Sequence, residues 1–237
     1  MSSPIRAMGR IGDCAVWQVA LDAPAPASWR STLCPAELAR SARFAFEKDR
    51  LRYEAAHGAL RELLAPIAKR RAEDLRFEAG PFGKPGLADV PGLEFNLSHS
   101  QDLAVIAIGG EALGVDVEVP RTVDDLWALS EAHFTEAEQD ALARVDTSSR
   151  MEAFLRCWTR KEACVKALGL GLSLDTRTLE VGLGDGSGTA MAVDAGPHGM
   201  LSVRSFMVGR SAVAALAVAA TARQPVRKNA AALELTA

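Results

Sequence analysis

Two periods of hydrophobicity divide the chain. Leu103-Ala104-Val105-Ile106-Ala107-Ile108 is an unbroken apolar run, stopped by Gly109-Gly110, and it predicts a strand buried on both faces. Shortly after it, Gly114-Val115-Asp116-Val117-Glu118 alternates with period two, so Asp116 and Glu118 project from one face of a second strand. The same reading gives strands over 14–21, 75–79, 93–97, 176–181, 201–208 and 212–219. Helical spacing runs from Ala36 to Phe46 behind Pro35, and from Glu47 to about Ala65, where Pro66 should end it. Further helices are predicted near Asp124 to Phe134 and from Thr135, where Thr135-Glu136-Ala137-Glu138 forms a capping box. Ser149-Arg150-Met151-Glu152 repeats that pattern and opens a long helix to about Leu168, with Gly169 as its stop. Proline and glycine mark loops over 23–27 and 80–92, and 182–188 reads as a hairpin connection.

These elements fall into two parts of similar content, each with helices and an antiparallel-leaning sheet. The predicted class is α+β, with an N-terminal half over 1–110, a C-terminal half over 111–222 and a mobile tail over 223–237.

The polar positions on this frame are informative. On the long helix, Trp158, Glu162 and Lys166 fall at i, i+4 and i+8 and share one face. If that helix packs on the 114–118 strand, Asp116, Glu118 and Glu162 converge with a lysine. Such a cluster suits a hard divalent cation, which takes oxygen ligands. A plainer explanation is a half-exposed strand with a wet face and a surface Glu162–Lys166 pair. In Phe95-Asn96-Leu97-Ser98-His99-Ser100, Ser98 and His99 are neighbours on an extended chain and point to opposite faces, so they do not form a nucleophile–base pair. The hydroxyls and the imidazole fit phosphate contacts better, although a lone histidine is often structural.

Composition narrows the classes. The chain has 237 residues, 49% hydrophobic and 24% charged, with a net charge of −3, as a soluble globular protein would. Cys14, Cys34, Cys157 and Cys164 form no CxxC pair, which argues against a zinc site or a disulfide framework and fits a reducing cytoplasm. No apolar signal region follows Met1–Arg6, and the run from Ser211 to Thr221 is too short to span a bilayer. Neither nucleic acid nor membrane is expected as a partner, because the chain is acidic and lacks aromatic–basic interleaving. One stretch runs against the overall charge: from Arg40 to Lys84, eleven Lys and Arg face seven Asp and Glu. This favours an anionic ligand, although a solvated basic face is the commoner explanation; a ligand with several phosphates would need some of Arg40, Arg43, Lys48, Arg52 and Lys84, since guanidinium matches phosphate oxygens in a forked geometry.

Gly83-Lys84-Pro85, the Phe95–Ser100 stretch, Gly114–Glu118, Phe134 with Glu138, and Trp158–Lys166 with Gly169-Leu170-Gly171-Leu172 together resemble the Sfp-type 4′-phosphopantetheinyl transferases. Order and spacing agree over roughly residues 40 to 180. The resemblance implies a monomer of two similar α+β subdomains related by pseudo-twofold symmetry, with coenzyme A in the cleft between them. It implies transfer of the phosphopantetheine arm to a serine of an apo acyl or peptidyl carrier protein. By position, Asp116, Glu118 and Glu162 resemble the Mg²⁺-binding carboxylates, and Lys166 the lysine near the pyrophosphate. Ser98 and His99 resemble phosphate contacts, Lys84 the lysine of the adenine and phosphate pocket, and Arg52 and Arg40 the residues that hold the coenzyme's phosphates. Glu162, Lys166 and His99 are the expected catalytic groups. Leu126, Trp127 and Phe134 are expected to offer apolar contacts to the carrier from within 123–144. Two rival readings are a metal-dependent phosphohydrolase and a non-catalytic coenzyme A-binding module.

Overall fold

The computed structural model describes residues 3–121, 123, 125–186 and 188–220; the tail expected over 223–237 and the helix start expected at Asp124 lie outside the described residues. The N-terminal half contains strands β1 (Ile5–Ile11) and β2 (Cys14–Ala20), then helices α1 (Ala27–Thr32), α2 (Pro35–Ser41) and α3 (Glu47–Ala68). The short hairpin β3 (Phe77–Ala79) and β4 (Pro85–Leu87) follows, then β5 (Glu94–Ser100) and β6 (Leu103–Gly109). The C-terminal half runs β7 (Leu113–Glu118), α4 (Leu126–His133), α5 (Glu136–Arg144), α6 (Thr147–Leu168), β8 (Met191–Asp194), β9 (Met200–Val208) and β10 (Ala212–Ala219).

Each half carries a four-stranded antiparallel sheet, ordered β1-β2-β6-β5 and β7-β10-β9-β8. The two sheets pack face to face between outer helical layers. Ala104, Ile106 and Ile108 of β6 join a core with α3, while Val105 and Ala107 join a second core with Val115 and Val117 of β7 and Leu216 of β10. Burial of β6 on both faces follows directly from its unbroken apolar run. A third core packs α4, α5 and α6 on the far face of the second sheet.

The edge strands β5 and β7 lie side by side at the seam, joined by side chains where a backbone ladder would otherwise form. Asn96 Oδ1 accepts from the Val115 amide at 2.9 Å and Ser100 Oγ from the Val119 amide at 3.1 Å, while Ser98 and Ser100 donate to Asp116 and Glu118. The offset of 18 residues is the same in both serine–carboxylate pairs, so the strands run in the same direction. Edge groups of β7 that would otherwise be orphaned are satisfied in this way.

Several local expectations are corrected. β1 and α1 were not predicted: β1 is a mostly solvated strand with little apolar alternation, and α1 has only six residues, anchored by buried Trp29. α2 stops at Ser41, short of Phe46. α3 continues past Pro66 to Ala68, and Lys69 caps it in the left-handed region. α6 begins at Thr147 behind Asp146, ahead of the pattern at Ser149, while the box at Thr135 and the stop at Gly169 are both present. The strand expected over 176–181 is absent. Its backbone is taken by buried side chains: Lys161 donates to the carbonyls of Thr176 and Leu179, Arg160 to those of Val181 and Gly182, and Glu138 accepts from the amides of Val181 and Gly182. The second sheet is completed by β8, so 182–188 is not a hairpin connection.

Candidate active site

The site lies where α6 crosses β7 beside the seam. Gly114 makes the crossing close: a methyl group there would stand 2.7 Å from the Lys166 carbonyl carbon, and closer still to Ala163 O and Ala167 N. Two residues along β7, on the same face, is the buried Asp116. Its Oδ1 accepts from Lys166 Nζ at 2.6 Å and from Ser98 Oγ at 2.8 Å, and Lys166 also reaches Ser98 Oγ at 3.1 Å. Trp158, Glu162 and Lys166 form a half-buried stripe on α6, flanked by fully buried residues, as their four-residue spacing requires. Lys166 therefore makes its ion pair with Asp116, across the packing interface, rather than with Glu162 on its own helix.

The neighbouring carboxylates feel one another. Burial pushes the Glu162 carboxyl above its ordinary range, Asp116 and Glu118 add to the rise, and Lys166 opposes it. Burial also raises Glu118, against the hydrogen bond from Ser100 and with the help of Asp116. Among the described residues no three His, Cys, Asp or Glu side chains are grouped closely enough to hold a metal ion as they stand. Asp116 Oδ2, however, is buried without a hydrogen-bond partner, and beside it Glu118 and Glu162 both have their proton affinity raised by burial and by the Asp116 charge, so the three form a set of oxygen donors short of positive charge. That donor chemistry fits a hard divalent cation.

The other expected residues are more dispersed. Ser98 is buried in the cluster, whereas His99 is exposed on the opposite side of β5, the side of Phe95 and the α3 core. Lys84 bridges the halves, donating to the carbonyls of Leu113 at 2.9 Å and Ala167 at 3.1 Å, with Glu94 at 3.7 Å; burial lowers its ammonium's proton affinity. Arg52 forks onto Asp22 at 2.6 and 2.7 Å. Arg40 lies over the Tyr53 ring and lines a cleft of about 1270 Å³ between α2, α3 and the β3–β4 hairpin, shared with His57, Arg70 and Arg76. The docking contacts expected at Leu126 and Phe134 are corrected, since both side chains are buried in the helical core; Trp127 alone of the three is exposed, with Arg150 over its ring.

Sequence reasoning named Ser98 as a phosphate contact but missed Asn96 and Ser100 as supporting groups. Asn96, Ser98 and Ser100 form a polar stripe of period two on a buried strand, and such a stripe has to meet partners. The buried Lys161–Glu138 pair, at 2.7 Å, carried no comparable signal, because each residue sits on a helix whose register was known but whose neighbours were not.

Two family models cover most of the chain. Residues 112–217 match the 4′-phosphopantetheinyl transferase superfamily, and residues 23–110 match the N-terminal region of a 4′-phosphopantetheinyl transferase. The chain is 36% identical over 160 residues to the 4′-phosphopantetheinyl transferase HetI of Nostoc sp., a match covering 65% of this chain and 68% of that protein. It is 26% identical over 139 residues to the 4′-phosphopantetheinyl transferase Sfp of Bacillus subtilis, covering 59% of this chain and 61% of that one. Over 91 residues it is 38% identical to the 4′-phosphopantetheinyl transferase AcpT of Salmonella typhimurium, covering 38% and 47%. The matched stretch thus spans about two thirds of the first relative and less of the other two.

Proposed function

The chain belongs to the 4′-phosphopantetheinyl transferase superfamily, and on that premise we propose that it transfers the 4′-phosphopantetheine arm of coenzyme A to a serine of an apo acyl or peptidyl carrier protein, leaving 3′,5′-ADP. The observation that supports the reading best is the Ser98–Asp116–Lys166 cluster at the seam, with Asp116 Oδ2 unpartnered and two further carboxylates beside it.

Asp116, Glu118 and Glu162 are the residues that would hold Mg²⁺, which when bound neutralises charge on the pyrophosphate. Glu162, on the same face of α6 as Lys166, is the group that would take the proton of the carrier serine. The serine oxygen forms the new bond to phosphorus. The bond to the 3′,5′-ADP phosphate breaks, and its electron pair leaves with the nucleotide. The Lys166 ammonium, steered by Ser98, donates to phosphoryl oxygens as their charge develops.

The N-terminal half, 1–110, is assigned the nucleotide end of coenzyme A, and the C-terminal half, 111–222, the carboxylates and the reacting bond. Arg40, over the Tyr53 ring, and the exposed His99 can turn to phosphate oxygens, whereas Arg52 must exchange Asp22 and Lys84 its two carbonyls to do so. One chain supplies both walls of the seam, in keeping with a monomer. Its four cysteines are free, in keeping with a cytoplasmic reaction. Among the described residues no helix is long and apolar enough to cross a membrane.

The test is intact-mass spectrometry of apo carrier proteins incubated with this protein, coenzyme A and Mg²⁺. The expected result is a serine-linked gain of one phosphopantetheine, abolished by EDTA. Coenzyme A cleavage with every carrier unmodified would overturn the transferase reading in favour of a hydrolase.

A further inference from the structure

Glu118 differs from Asp116 in how it is held. Asp116 shares Oδ1 between Lys166 and Ser98, but among the described residues the hydrogen bond to the Glu118 carboxylate comes from Ser100 alone, at 2.7 Å to Oε2. Ser100 belongs to the other half of the molecule. Its hydroxyl has one proton and two lone pairs, and the Val119 amide occupies a lone pair at 3.1 Å. That amide can only donate, so the hydroxyl is oriented with its proton on the carboxylate. Four residues upstream, Asn96 fixes the same strand register through the Val115 amide at 2.9 Å. The Asn96 and Ser100 side chains are themselves buried, while Glu118 at the other end of the serine contact is half-buried.

We infer that Ser100 is a positioning residue, which from the N-terminal half fixes the Glu118 carboxylate of the C-terminal half for cation binding. The inference rests on the proposed role of Glu118 as a cation ligand and adds to it. The hydroxyl takes up Oε2, turns the carboxylate about that contact and leaves Oε1 to the site. Docking of the two halves then sets the ligand geometry, because the residue that orients the ligand and the ligand itself lie on different sheets. Removing an outer partner of a ligand typically weakens metal affinity about 10-fold or more.

The experiment titrates Mn²⁺ by electron paramagnetic resonance in the presence of coenzyme A, correcting for ion held by free coenzyme. It compares wild type, Ser100→Ala, Ser100→Thr, Glu118→Ala and the Ser100→Ala/Glu118→Ala double variant. Ser100→Ala should raise the Mn²⁺ dissociation constant about 10-fold, and Ser100→Thr, which keeps the hydroxyl, should return it to within about 3-fold of wild type. In the Glu118→Ala background, Ser100→Ala should have no further effect, since the two groups act as one unit. An equal loss in both backgrounds, accompanied by a lowered melting temperature, would show a merely structural serine and overturn the inference. So would wild-type affinity in Ser100→Ala. Absence of Mn²⁺ binding by the wild type would instead overturn the cation role of Glu118 itself, and the positioning role with it.

Discussion

Replacing Gly114 by alanine inserts a methyl group into the contact on which the site is built. Its carbon would lie 2.7 Å from the Lys166 carbonyl carbon, 0.7 Å short of an ordinary 3.4 Å contact, and it would press harder on Ala163 O and Ala167 N. All three atoms are backbone of α6, so no side chain can rotate away. The helix must lift from β7 by 0.7 Å or more. Overpacking of this kind costs about 1–3 kcal/mol, which for a chain of this size lowers the melting temperature by about 3–10 °C. The effect on chemistry should be larger, because Glu162 and Lys166 ride on the displaced helix. The Lys166–Asp116 bond, 2.6 Å in the structure, would open past the normal N–H···O range. A misplacement near 1 Å can cost about 100-fold in rate. Turnover would be followed by mass spectrometry of a carrier protein, alongside thermal melts. Gly86→Ala is the control, since an added methyl there meets no atom within 4 Å. Wild-type turnover and melting temperature in Gly114→Ala would refute the view that this close approach sets the site.

Three further outcomes follow from the same structure. Glu162→Gln should lower turnover at least about 100-fold while leaving coenzyme A affinity within about 3-fold, as expected for loss of a base; a variant that retains turnover rules that role out. Lys161→Met should lose about 3–5 kcal/mol in urea denaturation by stranding the buried Glu138, and adding Glu138→Gln should recover part of the loss; no recovery would mean that the pair is not the cause. At Glu37, burial pushes the carboxyl up, but hydrogen bonds from His57, Arg61 and the Cys34 amide outweigh it and bring it down to about 2 from 4.5. The resulting stability is complete above pH 4.5 and is lost as pH falls toward 2, so wild type should lose about 2 kcal/mol more than Glu37→Gln across that window. Equal acid slopes in denaturant melts would contradict it.

Legibility in the sequence tracked how local each cause was. β6 and β7 were readable because an unbroken apolar run and a period-two alternation are properties of the segment itself, and Gly169 marked the end of α6 for the same reason. The α6 stripe was found from spacing alone. Its partners were not: Lys166 turns to Asp116 because Gly114 lets the helix settle on β7, a fact of packing that no window of sequence contains. The 176–181 segment had strand composition, yet its amides and carbonyls are claimed by Glu138, Arg160 and Lys161 from distant helices. Phe134 shows the converse. An aromatic beside a helix end reads as exposed until the neighbouring helix covers it.

The seam between β5 and β7 also bears on how the protein comes to be active. Val105, Ala107, Val115, Val117 and Leu216 are fully covered only when the two sheets have met, so either half alone would present a sticky apolar wall. The serines that orient Asp116 and Glu118 lie on one side of that closure and the carboxylates on the other. The oriented site thus exists only where the two sheets are mated. A chain with only its C-terminal half in order would hold the carboxylates and Lys166 without the serines that orient them.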